Sequence, residues 1–225
     1  MDNAVAWSYS ALKTFQSCPK KYYHLKVVKD VKESASQIML YGIAAHKAAE
    51  LYIRDDVPLA SQYSYMQEQL DRLKAIEGEK FCELKFGLTA AMEPTGFFAK
   101  DVWLRGAVDL LIINHEKGTA RMIDYKFGKS KNADSSQLHL MSLAVFKLYP
   151  HVKSVKAGLL FCQEDKLVPT KYAAVDAPTM WMDWLPEVQR LEGAYKHGVW
   201  NASPSGLCRG WCPVTSCEHY EPRRT

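Results

Sequence analysis

Residues 101–126, DVWLRGAVDLLIINHEKGTARMIDYK, decide the fold. Val102, Leu104, Gly106, Val108, Leu110 and Ile112 fall on one side of an alternating pattern, and Trp103, Arg105, Ala107 and Asp109 on the other. A period of two belongs to a β-strand, whose side chains point to opposite faces in turn. NHEKG (114–118) reads as a turn, and TARMIDYK (119–126) as the returning strand of a hairpin. Two acids in this hairpin do not serve a core. Asp109 interrupts a strongly apolar strand, and Asp124 sits in the partner strand two residues before Lys126, so Asp124 and Lys126 share a face.

The flanking sequence extends the pattern. KFCELKFGL (80–88) alternates with Cys82, Leu84, Phe86 and Leu88 on one face. Upstream, helical periods predict helices over 8–24, capped by Ser8 or Ser10, over 36–54, and from Leu59 to Ile76. Gly42, Ala44, Ala45, Ala48 and Ala49 give the second helix a small-residue surface for close packing. Downstream, 135–150 reads as a helix ended by Pro150, with Leu138, Met141, Val145 and Leu148 inward. Strands over 154–162 and 167–175, a helix over 178–197 and a Cys-rich tail complete the chain. The expected fold is α/β: a small mixed central sheet flanked by helices, with a helical N-terminal portion and a Cys-rich C-terminal tail. There is no internal repeat or Gly/Ser-rich linker, so one domain over 1–225 is expected.

Composition sets the outer limits. With 225 residues, 48% apolar and 24% charged, collagen-like, low-complexity and largely disordered chains are excluded. No stretch reaches the roughly 20 apolar residues of a membrane span. MDNAVAWSYSALK lacks a basic region followed by an apolar run, which predicts a cytoplasmic protein. The net charge of +4 is uneven: 13–32 carries six lysines against Asp30, and 121–131 carries Arg121, Lys126, Lys129 and Lys131 against Asp124. Two basic segments on a slightly acidic remainder suggest a surface that meets phosphates, although a solvated charged face has the same composition.

If the hairpin brings Asp109 beside Asp124, two carboxylates and one ammonium converge. Such carboxylates repel unless a divalent cation lies between them. A divalent ion binds a phosphate oxygen and makes a water more acidic, and a neighbouring lysine orients that water or offsets charge on the phosphate. This is chemistry for phosphodiester hydrolysis; a structural ion pair is the simpler alternative.

The order GAVD, hairpin, DYK, then FGKS (127–130) resembles the PD-(D/E)XK nuclease superfamily, and within it the RecB-like branch. Gly42-x-x-x-His46-x-x-x-Glu50 is similar to that branch's helical histidine motif, Gln137 to the start of its Q-x-x-x-Y motif, and SYSALKTFQSCPKKYYH (8–24) to its N-terminal segment. One departure stands out: Met141 occupies the place of the motif's tyrosine. The resemblance implies a restriction-endonuclease-like core. It also implies Mg²⁺ or Mn²⁺ held by Asp109, Asp124, His46 and the Tyr125 carbonyl, Lys126 on the water, and Gln137 organising the site. Without those partners, His46 reads as a core histidine and Gln137 as a polar helix start. Glu83 reads as a surface charge on an alternating strand, with a supporting place behind the metal ligands as the alternative.

Six cysteines occur, at 18, 82, 162, 208, 212 and 217. Cys82 and Cys162 sit in apolar strands and read as small buried hydrophobes. Cys208-x-x-x-Cys212-x-x-x-x-Cys217 is clustered, and three thiolates need a fourth ligand. The resemblance implies that Cys18 supplies it and that the four clamp a 4Fe-4S cluster; structural Zn²⁺ with His219 is the alternative.

The resemblance thus implies a divalent-metal-dependent deoxyribonuclease, an exonuclease before an endonuclease, acting on DNA ends in recombination, replication or DNA processing, from a bacterium or a phage-infected cell. Lys20, Lys21, Tyr22, Lys129 and Lys131 are its candidate DNA contacts, and recombination or replication proteins its candidate partners. For Tyr22 and Tyr23, packing is the alternative to base stacking. Two other function classes stay open: a non-catalytic nucleic-acid-binding module on a nuclease scaffold, and an iron–sulfur or zinc interaction subunit.

Overall fold

The structure is a computed structural model that describes residues 5–222. These fall into two compact units, one running from Ser36 to Trp181 and the other built from residues up to Ala35 together with those from Met182 onward.

The continuous unit is organised on a six-stranded sheet: β1 (Glu79–Leu88), β2 (Pro94–Thr95), β3 (Leu104–Asn114), β4 (Thr119–Lys126), β5 (Ser154–Phe161) and β6 (Lys166–Ala173). The spatial order is β2-β1-β3-β4-β5-β6. All neighbours are antiparallel except β4 and β5, which run parallel. A parallel pair needs a crossover, supplied here by helix α5 (Ser136–Leu148). The expected mixed sheet flanked by helices is therefore the fold observed.

Helix α3 (Gln37–Asp55) starts at Ser36, whose side chain accepts from the Met39 amide. Its Ala45 and Ala49 are fully buried against Leu110, Ile112, Ile123 and Tyr125 of the sheet, so the small residues do allow close approach. Gly42 differs, since a side chain there would meet open space. The single helix expected over 59–76 is a 3₁₀ segment, Ser61–Met66, running into α4 (Gln67–Lys74). Tyr63, Met66 and Leu70 from this pair complete the same core.

The discontinuous unit holds α1 (Tyr9–Ser17), α2 (Pro19–Tyr22), a π-helical turn (Tyr23–Val28) and α7 (Leu185–His197). The single helix expected over 8–24 is broken at Cys18, which is extended (φ −165°). Pro19 explains the break: it cannot donate to the preceding turn and disfavours helical geometry in the residue before it. The helix expected over 178–197 is likewise two, α6 (Ala177–Met182) and α7 with Pro186 in its first turn. Tyr22 is buried, its ring stacked on Trp200 at 5.9 Å and its hydroxyl 3.2 Å from that of Tyr195. It packs against α7 and the segment after it.

Among the described residues, no helix is long and apolar enough to cross a membrane.

Candidate metal centre

Asp109 lies where the hydrogen-bonded rungs lapse on both sides of β3. The β3–β4 rungs end at Leu110–Ile123, one step short of Asp109 and Asp124, while β4 stays paired with β5 as far as Lys126–Phe161. On the other side, β1 pairs at Cys82–Leu110 and Leu84–Val108 but not between them. There Glu83 adopts φ +51°, a left-handed conformation that costs energy for any residue with a side chain. The opening leaves backbone groups to be satisfied otherwise, and the Tyr125 amide donates to Asp109 Oδ2 at 2.8 Å.

Three elements, α3, β1 and β3, deliver candidate ligands to the gap. His46 comes from α3, with Nδ1 3.2 Å from Asp109 Oδ2 and its ring held edge-on by Phe127 at 5.1 Å. Glu83 comes from the distorted point of β1. Single donor atoms of His46, Glu83 and Asp109 all lie within 4.8 Å of one another. They line an open cleft of about 640 Å³ that also holds Glu50, Lys85 and Arg54. Glu50, the last residue of the histidine motif, is ion-paired with Lys47 at 2.8 Å and with Arg54, which keeps it out of the triplet.

Asp124 neighbours Asp109 and raises no ligand atom into the same close group. Its Oδ2 lies 2.6 Å from Lys126 Nζ. Lys126 in turn donates to Gln137 Oε1 at 3.4 Å, so the first turn of α5 fixes the amine. Met141, one turn further along, is buried, with its sulfur packed close to Gly106. Glu83, for which alternation favours the surface over a place behind the ligands, stands in this triplet with His46 and Asp109.

The electrostatics follow from burial. Asp124 is pushed up to about 6, first by loss of water and then by the charge of Asp109, against the pull of Lys126 and His46. Glu83 is raised, by burial and then by Asp109. Burial works to lower His46, but its hydrogen bond to Asp109 and the charges of Asp109, Asp124 and Glu83 outweigh it, and the net shift is upward. Asp124 and Glu83, held beside Asp109 at the expense of their own ionisation, suit a divalent cation, and an oxygen-rich set with one imidazole suits a hard one.

A stability prediction follows. A carboxyl whose folded pKa is raised stabilises the fold fully only below its unfolded pKa of about 3.9, and that contribution is lost as pH climbs towards 6. In EDTA at pH 7.5, Asp124→Asn is expected to stabilise the protein by about 1–2 kcal/mol, the full shift being discounted for the partner that Lys126 loses. Calorimetry should show the gain shrinking towards pH 4. A variant less stable than wild type at pH 7.5 would contradict the burial argument.

A second cavity lies in the discontinuous unit. Cys18, Cys208, Cys212 and Cys217 all line it, with His219. All four thiols are free and partly exposed. Two backbone amides, of Lys21 and Ser203, donate to Cys18 Sγ at 3.4 Å, and the Ser205 amide donates to Cys208 Sγ at 3.5 Å. Among the described residues, no three of these sulfurs come within 4.8 Å of one another.

Of the proposed DNA contacts, Lys20 is paired with Glu218 and Lys21 with Glu33 at 2.8 Å, while Lys129 and Lys131 are exposed.

Three comparisons bear on this geometry. The family model described as PD-(D/E)XK nuclease superfamily matches residues 6–217. No curated protein matches. Among solved structures, one named "Putative exonuclease" from Eubacterium rectale aligns with a TM-score of 0.50 at 12% identity, covering 97% of this chain and 89% of its own. The protein SSO0001 aligns with a TM-score of 0.44 at 12% identity, covering 99% and 89%.

Proposed function

Because this chain belongs to the PD-(D/E)XK nuclease superfamily, we propose that it is a RecB-like deoxyribonuclease that hydrolyses phosphodiester bonds at DNA ends with a divalent cation. The observation that carries the reading is the pairing of a carboxylate cleft (His46, Glu83, Asp109) with a buried carboxylate–ammonium pair (Asp124, Lys126) across one strand opening.

His46, Glu83, Asp109 and Asp124 would hold Mg²⁺ or Mn²⁺, with the Tyr125 carbonyl beside them. Bound there, the ion supplies Lewis-acid activation of a phosphate oxygen and a more acidic water. Lys126, fixed between Asp124 and Gln137, holds the attacking water by one N–H and offsets negative charge gathering on the phosphate. Gln137 keeps the lysine rotamer. Glu50, neutralised by Lys47 and Arg54, adds no free charge to repel substrate. Lys85 lines the same cleft and stands ready for a neighbouring phosphate.

The four cysteines are proposed to hold a 4Fe-4S cluster, with structural Zn²⁺ as the rival. Preference for ends follows the expectation drawn from the RecB-like motifs and agrees with the name carried by the Eubacterium rectale fold neighbour.

The test is digestion of labelled linear DNA, free-ended or with both ends blocked, single- and double-stranded, in Mg²⁺, Mn²⁺ or EDTA. Divalent-dependent loss of label from free-ended substrates, with blocked ones spared, is expected. Equal cutting of blocked DNA makes the enzyme an endonuclease, and DNA binding without cleavage in either metal returns the chain to a binding module.

A further inference from the structure

A cleft of about 760 Å³ lies between α4 and strands β4, β5 and β6, away from the carboxylates. Strand alternation sets its position: Arg121 and Ile123 point to the face of β4 opposite that of Asp124 and Lys126. Its floor is aliphatic, made by Ile123, Leu160, Leu167 and, from α4 and the turn after it, Leu73 and Ile76. Leu167 is half exposed and lies over Gly158, where any side chain would collide with it at 2.6 Å.

Along one edge runs a rank of cations. Arg121 is in register with Lys156, and Lys156 with Lys171. Neighbouring strands lie about 4.8 Å apart, and like charges directly opposite each other destabilise a sheet. All three side chains are exposed, and among the described residues none is in an ion pair. The carboxylate that lines this cleft, Asp165, is already bonded to Arg72 at 2.7 Å. The fold thus carries an unrelieved row of like charge beside exposed aliphatic surface, two costs that a single ligand can remove.

The lining has no aromatic ring on which a base could stack, which disfavours a nucleic-acid strand. We propose that this cleft docks an acidic amphipathic helix of a partner protein. The helix would set aliphatic side chains at i, i+3/i+4 and i+7 on the floor and carboxylates against Arg121, Lys156 and Lys171. The site is independent of the metal centre, so the nuclease reading and this one fail separately.

A displayed library of amphipathic helices of about 18 residues, with aliphatic anchors fixed and polar positions drawn from Glu, Ser and Lys, is selected on the full-length protein in EDTA. The expected winners are rich in Glu on one flank. By fluorescence anisotropy they should bind the triple variant Arg121→Glu/Lys156→Glu/Lys171→Glu at least about tenfold more weakly, and Asp124→Asn unchanged. A single-stranded oligonucleotide is the second probe. If it, rather than the helices, loses affinity on charge reversal, the cleft is a nucleic-acid path and the proposal falls. Winners without acidic preference, or with equal affinity for the triple variant, overturn it too. An internal check needs no ligand: Lys156→Glu turns two repulsions into attractions and should raise the melting temperature of the free protein by a few degrees. A lower melting temperature removes the premise.

Discussion

Replacing Lys126 by methionine, or Asp124 by asparagine, is expected to slow divalent-dependent DNA hydrolysis by about three orders of magnitude or more. Each acts on a separate component. Lys126→Met keeps the aliphatic stem but deletes the one ammonium held between Asp124 and Gln137. Asp124→Asn keeps shape and removes the buried negative charge proposed to draw a cation into the gap between β3 and β4. Loss of a buried ion-pair partner often unfolds a protein, which would make an inactive variant uninformative. Here the signs separate the two cases. Asp124→Asn is expected to be the more stable protein without metal and the dead one with it, so a melting curve and a nuclease assay on one sample distinguish failed chemistry from failed folding. Manganese binding, followed by the EPR signal of free Mn²⁺, should weaken in the same variant. An Asp124→Asn enzyme that degrades DNA at the wild-type rate removes this carboxylate from the mechanism.

The second large effect concerns the cysteines. Metal–thiolate sites contribute on the order of 10 kcal/mol to the small units they hold together. Protein purified without oxygen is expected to be brown and to contain iron and acid-labile sulfide. Cys208→Ser and Cys18→Ala should each abolish the colour and lower the melting temperature by about 10 °C or more. Cys82→Ala is the control: Cys82 lies in β1, in the other unit, and its change should leave iron content untouched. A colourless protein with one zinc per chain decides for the rival metal.

Much of the site can be read along the chain because covalent spacing enforces it. Two residues in a strand share a face whatever surrounds them, so Asp124 and Lys126 follow from MIDYKF alone, and a tight hairpin carries Asp109 to the same level. The helix break at Cys18 was also written in the sequence, in Pro19, although a long amphipathic period masks it. Glu83 is legible near the site only as the lesser of two readings: alternation turns it outward, and a left-handed backbone at that position brings it to His46. Nothing local announces such a distortion in a non-glycine residue. The rank of Arg121, Lys156 and Lys171 was equally hidden, because the register of a parallel pair is set across a helical crossover rather than by a turn.

The discontinuity of the cysteine-bearing unit bears on how the polypeptide is born. Cys18 and Cys208 are 190 residues apart (208 − 18) yet line one cavity. At a ribosomal pace of about 5–20 residues per second, the first thiol waits roughly 10–40 s for its companions. The sheet-bearing unit, contiguous in sequence, can fold during that interval, while α1 stays without α7, its eventual packing partner. Vectorial synthesis thus lets Asp109 and Asp124 come together before the cysteine-lined cavity is complete.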